Sequence, residues 1–460
     1  MLMIILGVAL AAVIFYYACV KPLNYWTERG VKQGKPWWIF GDFGPSFFRL
    51  QSFSEWAQSA YNETPGTRYF GTYQFVKPIL LLKDPDLIKQ IAVKDFDHFT
   101  DHRTFVPENI DPLWDRNLLT LKGQSWHDMR SILSPSFTSS KMKSMFVLIV
   151  ECADNFVKNF LKKDEEIITV EMKDIFTRFT NDVIATTAFG VKVDSLAEPN
   201  NEFYLMGKDA TDFSSFFKIL KIFGYFMVPK LFYVSKANIN NDLTNEDITA
   251  QALIFFSAGF DTVSSLMSFT AYELAVNQDI QHRLKKEVDA TWKECGGKLT
   301  YESLLKMKYM DMVVSEAMRK WPNLPQTDRV CTKPYTIQPT TPEEKPIHLE
   351  KGAAVFIPIY PIHRCPKFYP DPDRFDPERF NDENKGNINP YTYMPFGVGP
   401  RNCIGSRFAL LEVKIIFFFI LKHFEIIPVE KTQIPFEICQ KSILLTAANG
   451  FWLGLKRVKN

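Results

Sequence analysis

Residues 395–410 read PFGVGPRNCIGSRFAL, a single cysteine in a frame of glycines. Gly397, Gly399 and Gly405 flank Cys403, and Arg401 stands two positions before it. Glycine admits positive φ in a tight loop and leaves no Cβ between the main chain and whatever approaches it. The run that follows, SRFALLEVKIIFFFILKHF, has the apolar density of a buried helix. Cys403 therefore belongs near a helix N-terminus, an end that favours a negative sulfur and is expected to lower the thiol's pKa. The fold must bring bare backbone, one thiol and one guanidinium against a common partner.

The start of the chain is almost as restrictive. MLMIILGVALAAVIFYYACV carries no charged side chain in twenty residues. As a helix it covers roughly 30 Å, about one hydrocarbon core. A cleaved signal would begin with a basic stretch. Here the first charge, Lys21, follows the run, and Arg29, Lys32 and Lys35 come soon after. The expected organisation is a transmembrane anchor over 1–20, a basic hinge broken by Gly and Pro over 21–45, and one domain over 46–460. The positive-inside rule puts that domain on the cytosolic side. Trp37 and Trp38 suit either the headgroup level or ordinary packing.

Along that domain, helical periodicity dominates near 139–162, 168–189, 245–278 and 279–294. Residues 69–84 alternate and are rich in β-formers, which predicts a small hairpin, and strand-like runs recur at 353–358 and 441–455. The fold class is mainly α with a small β portion. Its 41 Phe predict a broad aromatic interior, and a net charge of +2 gives no global pull toward nucleic acid. The seven cysteines are widely spaced without a CxxC pair, which argues against a zinc site, a redox dithiol or a disulfide framework and fits a reducing compartment.

A thiolate is a strong, soft metal ligand, and a haem iron needs one axial atom from the protein. The macrocycle is flat and wide, so backbone beside the ligand must come close, and Arg401 suits a propionate. A structural cysteine in a glycine-rich turn is the ordinary reading of a lone thiol. The whole pattern Phe396-x-x-Gly399-x-Arg401-x-Cys403-x-Gly405 goes against it. At these residues the chain resembles the haem-thiolate monooxygenases, the cytochrome P-450 superfamily. The resemblance runs from the anchor to the C-terminus. RNLLTLKGQSWHDMRSILSPSFTSSKM and LTNEDITAQALIFFSAGFDTVSSLMSF look most like insect microsomal members, a group with many xenobiotic oxidases. It implies haem b between a long central helix and the Cys403 loop, with Cys403 as the axial iron ligand.

Other stretches gain meaning beside that resemblance. SAGFDTVSS (257–265) lies in an apolar helical run that Thr244 and Asp247 are spaced to cap. Thr262 can bond back to the carbonyl of residue 258, and Gly259 thins the helix; alone, this is a back-bonding threonine. The match to A-G-x-D-T implies a dioxygen site, with Asp261 and Thr262 relaying protons. Glu316 and Arg319 stand at i, i+3, ordinarily a surface ion pair of little worth. With Arg379 of DPERF they match the family's core lock, a structural role. Trp126 and Arg130 share a helix face, and both can donate to a carboxylate. The resemblance makes that a propionate. Arg103 of DHRTF and Arg364 of IHRCP match further propionate-binding arginines, though a plain surface arginine is an equal reading of each.

The implied function is membrane-anchored monooxygenation of lipophilic small molecules: xenobiotics, insecticides, plant toxins or endogenous lipids and hormones. Electrons would come from NADPH through a separate reductase, since no flavin or NADPH motif appears, with cytochrome b5 as a further partner and the endoplasmic reticulum as the location. One departure stands out. Only ten residues, YVSKANINND, separate MVPKLF (227–232) from LTNED (243–247), where the family carries several dozen more that complete the roof of the substrate pocket. The rival reading is accordingly a truncated, degenerate haem-binding protein. A third is a thiol hydrolase using Cys403 with one of seven histidines, His363 among them.

Overall fold

In the computed structural model, which describes residues 1–104, 110–211, 244–442 and 444–458, the uncharged opening run is helix α1 (Leu2–Phe15). Wider and tighter turns continue it to Glu28. No residue of α1 is buried. Its last residue, Phe15, meets the Trp38 ring edge-on at 6.0 Å. A helix apolar on every face that buries none of its residues is a candidate membrane anchor. The stretch expected as a hinge packs instead onto the domain. Leu23, Trp26 and Val31 are buried, and the Trp26 indole N–H donates to the Thr72 carbonyl at 3.1 Å. A Cβ at Gly71 would lie 2.4 Å from Trp26 Cγ, so glycine there lets the indole lie against the strand.

The expected hairpin forms from β1 (Tyr69–Gln74) and β2 (Lys77–Leu82) around a two-residue turn. β3 (Ile167–Glu171) follows in sequence. β4 (Thr327–Val330) and a two-stranded sheet of β5 (Tyr335–Ile337) and β6 (Ile347–Leu349) come later, then β7 (Ala354–Ile357), β8 (Phe424–Pro428) and β9 (Trp452–Arg457). β2 pairs in parallel with β7, and β7 antiparallel with β4. Two expectations shift. The helix expected from 168 starts at Met172, because Ile167, Ile168, Thr169 and Val170 pair with β9 as a strand. The strand expected over 441–455 shrinks to β9, preceded by a single bridge of Ala447 to Ile438, since Ala448, Asn449 and Gly450 bend the chain between them, with Gly450 at φ +82°.

The helices that position the site are α2 (Gly123–Leu133), α3 (Ser139–Leu161), α4 (Met172–Ala188), α5 (Glu202–Thr211), α6 (Asn245–Val276), α7 (Gln278–Glu294), α8 (Lys308–Lys320) and α9 (Ser406–His423). α6 opens on the expected capping box: Asp247 N–H donates to Thr244 Oγ1 at 3.2 Å, and Thr244 N–H to Asp247 Oδ2 at 2.8 Å. From Val263 to Ala275 every residue of α6 is buried. That second long apolar helix is therefore a core element. Leu411 to Leu421 of α9 are buried without interruption too, and Phe417 stands 6.0 Å, ring to ring, from Phe176 of α4. The short connection YVSKANINND, expected to mark the incomplete roof, and the phenylalanines that precede it at 213, 216, 217, 223 and 226 lie outside the described residues.

Candidate functional site

Cys403 precedes α9 in a loop closed on itself. Its N–H donates to the Phe396 carbonyl at 2.9 Å, and Asn402 N–H to the Gly399 carbonyl at 3.0 Å. Gly397 and Gly399 sit at φ +77° and +73°, and a Cβ at Gly399 would lie 2.0 Å from the Ala92 carbonyl oxygen. No other residue fits there. Gly405, the cap of α9, has φ −89° and does not use that freedom. The Cys403 side chain is exposed, yet protein is dense around it, so it faces a recess. Burial pushes the thiol pKa up, against the Gly405 N–H and the Arg130 charge, which favour the thiolate. This overturns the expected lowering: the helix end does pull the expected way, and desolvation outweighs it.

The basic residues divide. Arg130 reaches the residue beside the thiol, donating to the Asn402 carbonyl at 3.0 Å and Oδ1 at 3.2 Å. Arg401 stacks over the Trp126 ring at 4.0 Å and donates to the carbonyls of Thr100, Leu118 and Leu121. It clamps the loop to the segment before α2, and burial lowers its pKa to about 9. The Arg103 guanidinium lies 5.4 Å from the Phe356 ring with no hydrogen bond among the described residues. Arg364 is not brought to the loop. It pairs with Asp373 at 2.6 Å, donates to the Lys320 carbonyl at the end of α8, and packs over Trp321 and Tyr360.

Sequence reasoning missed two neighbours. Arg329, fully buried on β4, donates to the Val398 carbonyl of the loop at 2.6 Å and leaves Nε without a partner; burial lowers its pKa to about 10. His102 meets Asp328 through Nδ1 at 3.0 Å. Burial and the nearby Arg329 and Arg401 charges hold the imidazole pKa down, so neutral His102 donates to an ionised Asp328. No local pattern singles Arg329 out: its strand reads Thr-Asp-Arg-Val, without apolar alternation, and Arg329 is its one buried position.

Across the recess, α6 presents Ala258 exposed and Phe255 and Thr262 half-buried, just before its fully buried half. Thr262 Oγ1 donates to the Ala258 carbonyl at 2.5 Å, as expected. Gly259 does not open that face: its Cβ would meet Ile184 of α4 at 2.8 Å, so it admits α4 instead. Phe137 joins the two sides, 5.7 Å from the Phe255 ring and next to Gly405.

Behind the loop, Glu316 and Arg319 are fully buried, bonded at 2.7 and 2.8 Å. Arg319 also donates to the His363 and Pro372 carbonyls, and Arg379 stands 3.5 Å from Glu316. Breaking one partner of such a pair costs about 3–5 kcal/mol. His363 contacts the Arg319 carbonyl through Nδ1 and accepts from Met394 N–H at 2.8 Å, tying this lock to the thiol loop. Its pKa is lowered to about 3 by burial and the Arg319 charge, so it is no base for Cys403.

The sequence model of the family described as "Cytochrome P450" matches residues 32–233 and 230–453. The chain belongs to the cytochrome P450 family. It is 43% identical to Cytochrome P450 9e2 of Blattella germanica, covering 95% of this chain and 94% of that one. It is 34% identical to Cytochrome P450 6k1 of the same organism, over 97% and 95%, and 35% identical to Cytochrome P450 9b2 of Drosophila melanogaster, over 98% and 99%. The chain is thus a P450 monooxygenase, resembling insect members, and the family implies haem. The alignment with 9e2 runs over 508 positions, more than the 460 residues here, so that relative carries residues without a counterpart. The two matched stretches meet at 230–233, beside the short connection.

The residues of this P450 fit a haem. Cys403 is the exposed thiol among the cysteines. Around its loop stand donors with no hydrogen-bond partner among the described residues: the buried Nε of Arg329, the Arg103 guanidinium and the Trp126 indole N–H. A buried guanidinium nitrogen without an acceptor is costly, and an anionic group at the loop would relieve it.

Proposed function

We propose that this P450 is an anchored monooxygenase that inserts one atom of dioxygen into lipophilic small molecules, xenobiotics foremost, with haem b held by Cys403. Bound there, haem supplies the one-electron and dioxygen chemistry that no side chain provides. Cys403 would offer the sulfur that ligates its iron. Trp126, Arg130 and Arg103, with Arg329, would offer donors to the propionates, while His102 keeps its N–H on Asp328. Arg401 and the Glu316–Arg319–Arg379 lock hold the loop that carries the thiol, and Phe396 and Gly405 frame it. Asp261 and Thr262 move protons on the α6 side. Electrons come from NADPH through a flavoprotein reductase, with cytochrome b5 as a second donor. α1 anchors the chain in the endoplasmic reticulum membrane, and Lys21, Arg29, Lys32 and Lys35 keep the domain cytosolic. The domain itself takes in 21–45 as well as 46–460.

The observation that carries this reading is the exposed thiol in a loop that only glycine can form, beside the buried Arg329 Nε, which has no partner among the described residues. Cys403→Ala should abolish the thiolate-type carbon monoxide spectrum of the reduced protein; a variant that keeps it overturns the assignment. The second reading, a degenerate haem binder, is favoured by the short connection at which the family match divides. NADPH consumption without product, with reductase supplied, would decide for it.

A further inference from the structure

On the side of α6 away from the recess, four acceptors converge on one ammonium. Lys173 of α4 donates from Nζ to the Asp261 carbonyl, Asp261 Oδ1 and Ser264 Oγ, each at 2.8 Å, and to Ser265 Oγ at 2.7 Å. An ammonium has three N–H groups, so at least one is shared. Neighbouring hydroxyls load the same turn. Thr180 of α4 donates to the Phe260 carbonyl at 2.9 Å, Ser264 to the same carbonyl at 2.8 Å, and Ser265 to the Asp261 carbonyl at 2.8 Å. The turn of α6 that presents Thr262 is therefore held from behind by α4.

Successive helical residues point about 100° apart. With its carboxylate on Lys173, Asp261 faces α4, while Thr262 belongs to the face with exposed Ala258. The Lys173 and Asp261 side chains keep 21% and 26% of their surface, so water reaches the pair.

We propose that Lys173 is a positioning residue for proton delivery: the Lys173–Asp261–Ser264–Ser265 cluster fixes the Asp261 carboxylate where water reaches it and fixes the turn that carries Thr262. A proton taken up by Asp261 from water leaves it again toward the Thr262 side. The carboxylate then returns to its ion pair with Lys173, and no charge stays behind. This rests on the proton role of Asp261 and Thr262 given above.

The test uses the full chain with haem incorporated. Lys173→Met should raise the share of NADPH electrons lost to peroxide several-fold and enlarge the solvent deuterium effect on product formation. Haem content and the carbon monoxide spectrum should stay unchanged, and Lys173→Arg should restore most of the coupling. A readout independent of turnover is a double-mutant cycle in chemical unfolding between Lys173→Met and Asp261→Asn. A formed pair should give a coupling of roughly 3- to 10-fold in the unfolding equilibrium. Lys173→Gln replaces the methionine variant if that fails to fold. A coupling factor near one means the pair is not formed, and overturns the proposal. Tight coupling in Lys173→Met while Asp261→Asn leaks overturns the role of Lys173 alone. Tight coupling in Asp261→Asn overturns this proposal together with the proton reading beneath it.

Discussion

On α6 the Thr262 hydroxyl satisfies itself on the Ala258 carbonyl, and its half-exposed side chain fills no core space. Thr262→Ala should therefore leave stability within about 0.5 kcal/mol of the parent. Haem uptake should persist, while NADPH use separates from product and peroxide rises; unchanged coupling would remove Thr262 from the proton route. Glu412 on α9 is the opposite case. It is fully buried, and both carboxylate oxygens lack partners among the described residues, so burial raises its pKa well above the ordinary carboxyl range. A carboxyl raised on folding stabilises below its unfolded pKa and loses that contribution as pH climbs toward the folded value. In that window stability should fall by about 1.4 kcal/mol per pH unit from this group alone. Glu412→Gln, neutral at every pH, should match the parent near pH 4 and exceed it near pH 8. Equal pH slopes for the two proteins in urea unfolding would show that Glu412 has a partner.

At the scale of elements, what was legible followed local pattern. Alternation announced the β1–β2 hairpin, and the Thr244–Asp247 box announced the start of α6. β3 was read as helix because its partner, β9, lies some 280 residues further on, and no local signal reports such a pairing. Arg329 was missed for the same reason: its burial is a property of the assembled sheet. Arg364 was misplaced because the sequence does not show that Asp373 and the end of α8 claim its donors. The first element also carries a prediction. α1 buries nothing, whereas Leu23 and Trp26 just beyond it are core residues. Removing 2–20 should release the protein from membranes and leave haem incorporation intact. Removing 2–30 should cost it too, since it strips Trp26 from Gly71 and from the Thr72 carbonyl. Sedimentation and haem content of the two truncations check this, and equal haem loss in both would show that α1 supports the fold.

The whole molecule joins a core that carries the thiol loop to a short connection, beside which the two family matches meet. Lid elements over a pocket govern water exclusion and substrate fit, and with them coupling. On either side of the connection, Leu205 and Met206 of α5 and Ile248 of α6 remain 47%, 69% and 60% exposed. Apolar surface of that kind favours aggregation or membrane contact. The lock and the clamped loop are built from residues outside the connection, so haem uptake should persist whatever its length. Grafting the corresponding segment of the 9e2 relative between Phe232 and Leu243 should therefore raise thermal stability by several degrees. It should also raise the fraction of NADPH converted to product, with haem content unchanged. If the chain as it stands already turns over tightly coupled and gains nothing from the graft, the pocket is closed by the membrane surface or by the connection itself. The degenerate reading would then fall.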